Sequence, residues 1–188
     1  MTKRFLEPST GRMLLSEPAL QDYYFARSVV LLVEHSEVDG TVGLILNKPV
    51  NLKLNEVVKD FPKVDFPLYL GGPVHPDRLF YIHTLGDAIP GSSEVFKGVY
   101  WGGDINALMK LIETKSISNS EVRFFIGYSG WNPGQLDSEL SEKSWIVSQI
   151  NKSSVMGLKP ERLWGNLLKK MGNEYAIWSN YPLDPILN

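Results

Sequence analysis

The chain has 188 residues, 43% of them apolar and 21% charged, and its 19 basic and 21 acidic side chains leave a net charge of −2. This is the profile of a globular protein with enough chain for one sizeable core, and it argues against duplex binding, which draws on a basic excess to neutralise phosphates. The absence of cysteine excludes a disulfide framework, a thiolate nucleophile and a cysteine-ligated metal.

The opening MTKRFLEPSTGR lacks the apolar core of a secretory signal, and the longest apolar block is VVLLV, so the expectation is a cytoplasmic protein without a membrane span. Residues 12–16 read as a short strand closed by Glu17-Pro18. Residues 28–35 are almost continuously apolar and predict a strand buried on both faces. SEVDG then supplies a turn, with Asp39 and Gly40 suited to positive φ, and residues 41–47 complete a hairpin. Residues 52–61 predict a short helix ended by Pro62. Residues 68–70, 79–85 and 99–101 predict strands separated by Gly and Pro.

Ile105, Leu108, Met109 and Ile112 recur at helical spacing behind Asp104, an N-cap type, and predict a helix. Residues 122–128 predict an apolar strand, followed by a short helix from Pro133 and a strand over residues 145–150. Leu163, Trp164, Leu167, Leu168 and Met171 form an amphipathic stripe, opened by Pro160, favoured at its end by Lys169 and Lys170, and capped by Gly172. The tail YPLDPILN reads as irregular. With no repeat and no interior linker, the chain reads as one α+β domain.

Four segments, GRMLLSEPALQDYYFARSVVLLVEH, GLILNKP, GGPVHPDRLFYIH and GYSGWNPGQL, stand in an order and spacing similar to the YqgE/AlgH family. The resemblance spans roughly the whole chain. It implies a single α+β domain built on a mixed, bifurcated and partly closed, barrel-like β-sheet with surrounding helices. One branch of that family carries the label of a transcriptional regulator of exopolysaccharide synthesis, and the resemblance supplies no catalytic residues. Asp137 departs from the pattern, since the family usually has Glu after GQL.

GYSGWNPGQLDSE crowds glycines and bulky rings together. Asn132 fits an N-cap, Pro133 the first helical position and Gln135 the third, the spacing of a capping box, while Asp137 and Glu139 suit the positive helix end. Gly127 and Gly130 would turn the chain out of its strand, with Trp131 packed over the junction. The functional alternative is an anion held by the helix amides with Tyr128 and Ser129. Ser129 does not complete a hydrolase elbow, because Trp131 occupies the place of the last glycine.

Gly71 and Gly72 in GGPV form either a tight corner or an anion nest assisted by Arg78. His35, His75 and His83 match no metal-ligand spacing, so no metal is expected. Lys48 in LNKP reads as a turn lysine in solvent, with a desolvated nucleophile as the alternative. Neither a phosphate-cradling nor a dinucleotide glycine motif occurs, and no cofactor is expected.

These readings favour a cytoplasmic binding or regulatory domain whose partner is a small molecule or a protein, rather than nucleic acid or membrane. The candidate ligand-binding residues are Asn47, Lys48, Gly71, Gly72, Arg78, Tyr128, Trp131 and Gln135. The alternative is a cofactor-free enzyme whose cleft is formed by LNKP, GGPV and GYSGWNPGQ. A DNA-binding regulator ranks third, since no helix-turn-helix or basic stripe is visible.

Overall fold

The computed structural model describes residues 6–149, 151–157 and 160–181. Its strands are β1 (Met13–Ser16), β2 (Val29–Ser36), β3 (Gly40–Ile45), β4 (Pro49–Val50), β5 (Leu68–Leu70), β6 (Val74–His83), β7 (Ser93–Phe96), β8 (Val99–Trp101), β9 (Val122–Trp131) and β10 (Trp145–Ser148). The helices are α1 (Leu54–Val57), α2 (Ile105–Glu113), α3 (Gln135–Ser141), α4 (Lys152–Met156), α5 (Leu163–Lys170) and α6 (Asn173–Trp178).

The continuous apolar run of β2 has the predicted consequence. Val29, Leu31 and Val33 face one core, shared with Met13, Leu15, Phe125 and the C-terminal residues Val155, Trp164 and Leu168. Val30 and Leu32 face the other side, against Trp131, Leu136 and Trp145. A third cluster buries Phe124, Val122 and Tyr81 beneath Leu54 of α1 and Leu108 and Ile112 of α2. Apolar residues at successive positions thus bury both faces of one sheet.

The sheet order is β10-β1-β2-β3-β9-β6-β8-β7, antiparallel along this path. β9 carries a fork. β5 runs parallel to it over residues 124–126, β3 pairs with it antiparallel over residues 129–131, and β6 lines it from Val122 to Tyr128. β4 hangs on β5. The sheet is mixed, as expected, but it is open. Among the described residues its path ends at β10 and β7 without pairing between them, so the strand pairing does not bear out the barrel-like closure implied by the resemblance.

Several local expectations change. The helix predicted over residues 52–61 is one turn, because Val58 is extended and Asp60 takes φ 63°; Pro62 further disfavours helical backbone at Phe61. Gly127 and Gly130 do not turn the chain out of its strand. β9 runs on to Trp131, Gly130 pairing with Val42, and the φ of 67° at Gly127 coincides with an irregular register between Val74 and Leu79. That irregularity also lets β6 begin inside GGPVHPDR, since Pro76 lies where the ladder skips.

β4 and β7 were not legible, being respectively two residues long and half polar. α4 and α6 also lack a helical-length apolar pattern. The helix expected from Pro160 begins with a 3-10 turn, Pro160–Arg162, before α5. The tail YPLDPILN, expected to be irregular, lies outside the described residues apart from Tyr181.

Candidate functional site

The three glycine- and proline-rich motifs meet at the fork of β9, and they meet through their backbones. Gly71 donates its N–H to Ile126 O at 2.8 Å and accepts from Ile45 N–H at 2.9 Å and from Ser129 Oγ at 3.0 Å. Lys48 O accepts from Leu70 N–H at 2.8 Å. Gly72 takes φ 153°, and a Cβ there would collide with the Tyr128 backbone; a Cβ on Gly127 would in turn collide with Gly72 O. Glycine is required at both points because two backbones cross without room for a side chain. The first amide of GGPV is therefore spent inside the sheet.

Most candidate side chains are likewise engaged. Asn47 is buried, its Oδ1 accepting from Val29 N–H and its Nδ2 donating to Arg27 O, both at 2.8 Å. It ties the loop before β2 to the end of β3. Lys48 is half-buried rather than solvated, and its ammonium donates to Ala26 O at 2.8 Å. Burial lowers its pKa, partly opposed by the charge of Asp22. Tyr128 is half-buried, edge-on to Phe80 and tilted against His75. Arg78 is exposed on β6.

The segment after Ser129 is a hydrogen-bonded knot. Glu139 Oε2 accepts from the indole N–H of Trp131 at 2.8 Å and of Trp145 at 2.7 Å, and its Oε1 accepts from Gln135 Nε2 at 3.0 Å. Gln135 Oε1 accepts from Asn132 N–H at 3.0 Å, as a capping box requires. The helix nevertheless starts at Gln135 and not at Pro133. Asn132 O accepts from Gln135 N–H at 3.0 Å, and Gly134 sits at φ 76°, ψ −11°. This is the third position of a type II turn, for which Pro-Gly is the preferred pair. Asn132 therefore opens a turn instead of capping a helix.

Two polar clusters were missed. Arg123, on β9 between Val122 and Phe124, is 4% exposed. Its guanidinium donates to Leu46 O at 2.7 Å and to Val155 O, and it lies 4.1 Å over the Tyr69 ring. Desolvation lowers its pKa against the opposing influence of Tyr69. The signal was a lone cation inside an apolar strand. His83, also buried, uses both ring nitrogens, with Nε2 on Gly102 O at 3.1 Å and Nδ1 on Leu85 N–H at 3.2 Å. Desolvation lowers its pKa too. Tyr81 donates to Gly103 O at 2.7 Å, and its phenol is pushed up to about 12 by burial and then by Asp104. These two β6 residues hold the Gly-Gly loop that delivers Asp104, whose carboxylate caps Asn106 and Ala107 at the start of α2.

Two cavities lie away from the fork. One, of about 180 Å3, sits between the β2–β3 turn and the start of α3, among Glu7, His35, Glu37, Thr41, Pro133 and Asp137. The larger, an open depression of about 800 Å3, is lined among the described residues by Ser120, Lys152, Ser153, Ser154, Met156, Gly157, Pro160 and Leu163. Among the described residues no group of three or more His, Asp or Glu could hold a metal ion, and no helix is long and apolar enough to cross a membrane.

Comparison with known proteins places this fold. A UPF0301 protein of Parabacteroides distasonis is 45% identical over 183 residues, covering 96% of this chain and 92% of its own. The UPF0301 protein CT0663 of Chlorobaculum tepidum is 42% identical over the whole of both chains. Among solved structures, protein DIP2367 of Corynebacterium diphtheriae superposes with a TM-score of 0.78 at 24% identity, covering 95% of each chain. The AlgH protein of Pseudomonas aeruginosa superposes with a TM-score of 0.74 at 26% identity, covering 95% of this chain and 98% of its own. A family profile described as AlgH-like matches residues 13–176, and the chain belongs to that family.

Proposed function

We propose that this chain is a cytoplasmic ligand-binding or regulatory domain for a small molecule, and that the ligand occupies the cavity beside α4. One observation carries the reading. An open depression of about 800 Å3 lies between α4 and the 3-10 turn before α5, its described lining combining the apolar Met156, Pro160 and Leu163 with Lys152, Ser120, Ser153 and Ser154. Ligand sites typically span roughly 300–1,000 Å3 and combine apolar lining with a few polar groups. The motif residues Asn47, Ser129, Trp131 and Gln135 spend their polar atoms on internal bonds, which supports a scaffolding role for the fork.

The test is a thermal-shift titration with 1-octanol, a neutral apolar probe, on the wild type and on Ser153→Trp, whose new ring would fill the cavity mouth from an exposed position. A saturable rise in melting temperature that Ser153→Trp abolishes supports the reading, because a ligand that binds only the native state stabilises it. No saturable shift, or one indifferent to the substitution, refutes it.

A further inference from the structure

We infer that the α4 cavity selects a small amphipathic anion, an apolar body carrying one carboxylate; this rests on the reading of the cavity as a ligand site. The walls separate by chemistry. Met156, Pro160 and Leu163 bring hydrocarbon to the lining, while Lys152, Ser120, Ser153 and Ser154 are its residues with polar side chains. Among the described lining residues Lys152 is the one charged side chain and none is a carboxylate, so the described part of the lining carries a positive sign.

The donors divide further. Ser153 spends its hydroxyl proton on Asn151 Oδ1 at 2.7 Å, and Ser120 shares a hydroxyl pair with Ser118 at 2.8 Å. Ser154 Oγ and Lys152 Nζ make no hydrogen bond or ion pair with any described residue. Lys152 is exposed and lies against the β7–β8 turn at Gly98, where Glu94 is engaged with the Gly98 N–H at 2.9 Å. A carboxylate at the rim would meet one ammonium and one hydroxyl, both with donors to spare, and its hydrocarbon would lie along Met156 and Leu163. A cationic head would meet Lys152 with like charge, and a neutral one would gain only the hydroxyl.

The α4 wall is also held from beneath. Val155, between the lining residues Ser154 and Met156, is buried, and its carbonyl is the acceptor for Arg123 on β9. The guanidinium fixes the segment that carries Lys152 and Ser154, so the rim donors belong to a pinned element. Preorganised donors lower the ordering cost of binding.

Calorimetric titration of the full chain with octanoate, 1-octanol and octylammonium tests the inference. An exposed ion pair is worth about 0.2–1 kcal/mol, so octanoate should bind up to about fivefold more tightly than 1-octanol, and octylammonium more weakly than either. Lys152→Met, which keeps the aliphatic reach, should erase the octanoate advantage and leave 1-octanol unchanged; Lys152→Arg should retain it. Raising the salt should shrink the advantage as screening grows. Equal affinity for octanoate and 1-octanol in the wild type, or an octanoate affinity unaltered in Lys152→Met, overturns the anion preference while leaving the cavity as an apolar site. Binding of none of the three probes overturns the cavity reading itself, and this inference with it.

Discussion

Replacing Glu139 by glutamine changes one atom type and should undo the knot that holds β9, α3 and β10 together. The carboxylate accepts three hydrogen bonds, two from the buried indoles of Trp131 and Trp145 and one from Gln135. Glutamine offers one oxygen. If that oxygen serves both indoles, its amide NH2 faces the NH2 of Gln135, donor against donor. If Gln135 flips to relieve this, the Asn132 N–H loses its acceptor. One bond is lost either way and the two indole bonds become neutral; hydrogen bonds to charged groups are worth about 1.5–3 kcal/mol against about 1 for neutral ones. The expected cost of Glu139→Gln is about 2 kcal/mol. Glu139→Ala strands both indole N–H groups, at about 1–3 kcal/mol each, softened where water can reach the half-buried carboxylate position, for a total of about 3 kcal/mol. Urea unfolding followed by far-UV circular dichroism measures both, and Glu142→Ala on the exposed end of the same region serves as a control expected within about 0.5 kcal/mol of wild type. The two indole N–H resonances should move together in Glu139→Gln. An unfolding midpoint indistinguishable from wild type in Glu139→Ala would refute the structural account of this segment.

Three further outcomes are expected. Gly72→Ala should prevent native folding or cost more than about 3 kcal/mol, because the new Cβ meets backbone that cannot yield, whereas Gly91→Ala, at φ 75° with open space around it, should cost only about 1–2 kcal/mol; chemical denaturation separates the two. Asn47→Ala leaves the Val29 N–H and the Arg27 carbonyl without their side-chain partner and should lower stability by about 2–4 kcal/mol in the same assay. His83 has its folded pKa depressed by burial, so its contribution is full above its ordinary value of 6.5 and is lost as pH falls through the lower folded value; the wild-type urea midpoint should drop between pH 7 and 5, and His83→Gln should be less stable at pH 7 with a flatter profile, a parallel profile counting against the assignment.

The sequence disclosed elements wherever one physical signal acted alone. The unbroken apolar run of β2 required burial on both faces, and Asp104 at the head of a helical stripe became the cap of α2. Gly127 misled because its positive φ suits a strand-ending turn as well as a crossing within a strand; only the position of Gly72 decides between them, and that depends on pairing across the fork. Asn132-Pro133-Gly134 carries both a capping and a turn signature, and Gly134 resolved it toward the turn. Arg123 was visible as a charge in an apolar strand, yet its carbonyl partners Leu46 and Val155 are remote in sequence. The α4 cavity was not legible at all, since KSSVMG has no motif and its walls are assembled from three separated segments.

The most direct test of the account is an amide chemical-shift titration of the isotope-labelled chain with octanoate. The account predicts saturable shifts concentrated at residues 152–157, with Leu163 and Ser120, and little change at Asn47, Lys48, Gly71, Gly72 or Tyr128. Saturable shifts centred on those fork residues, with the α4 segment silent, would contradict it and return the binding site to the motifs.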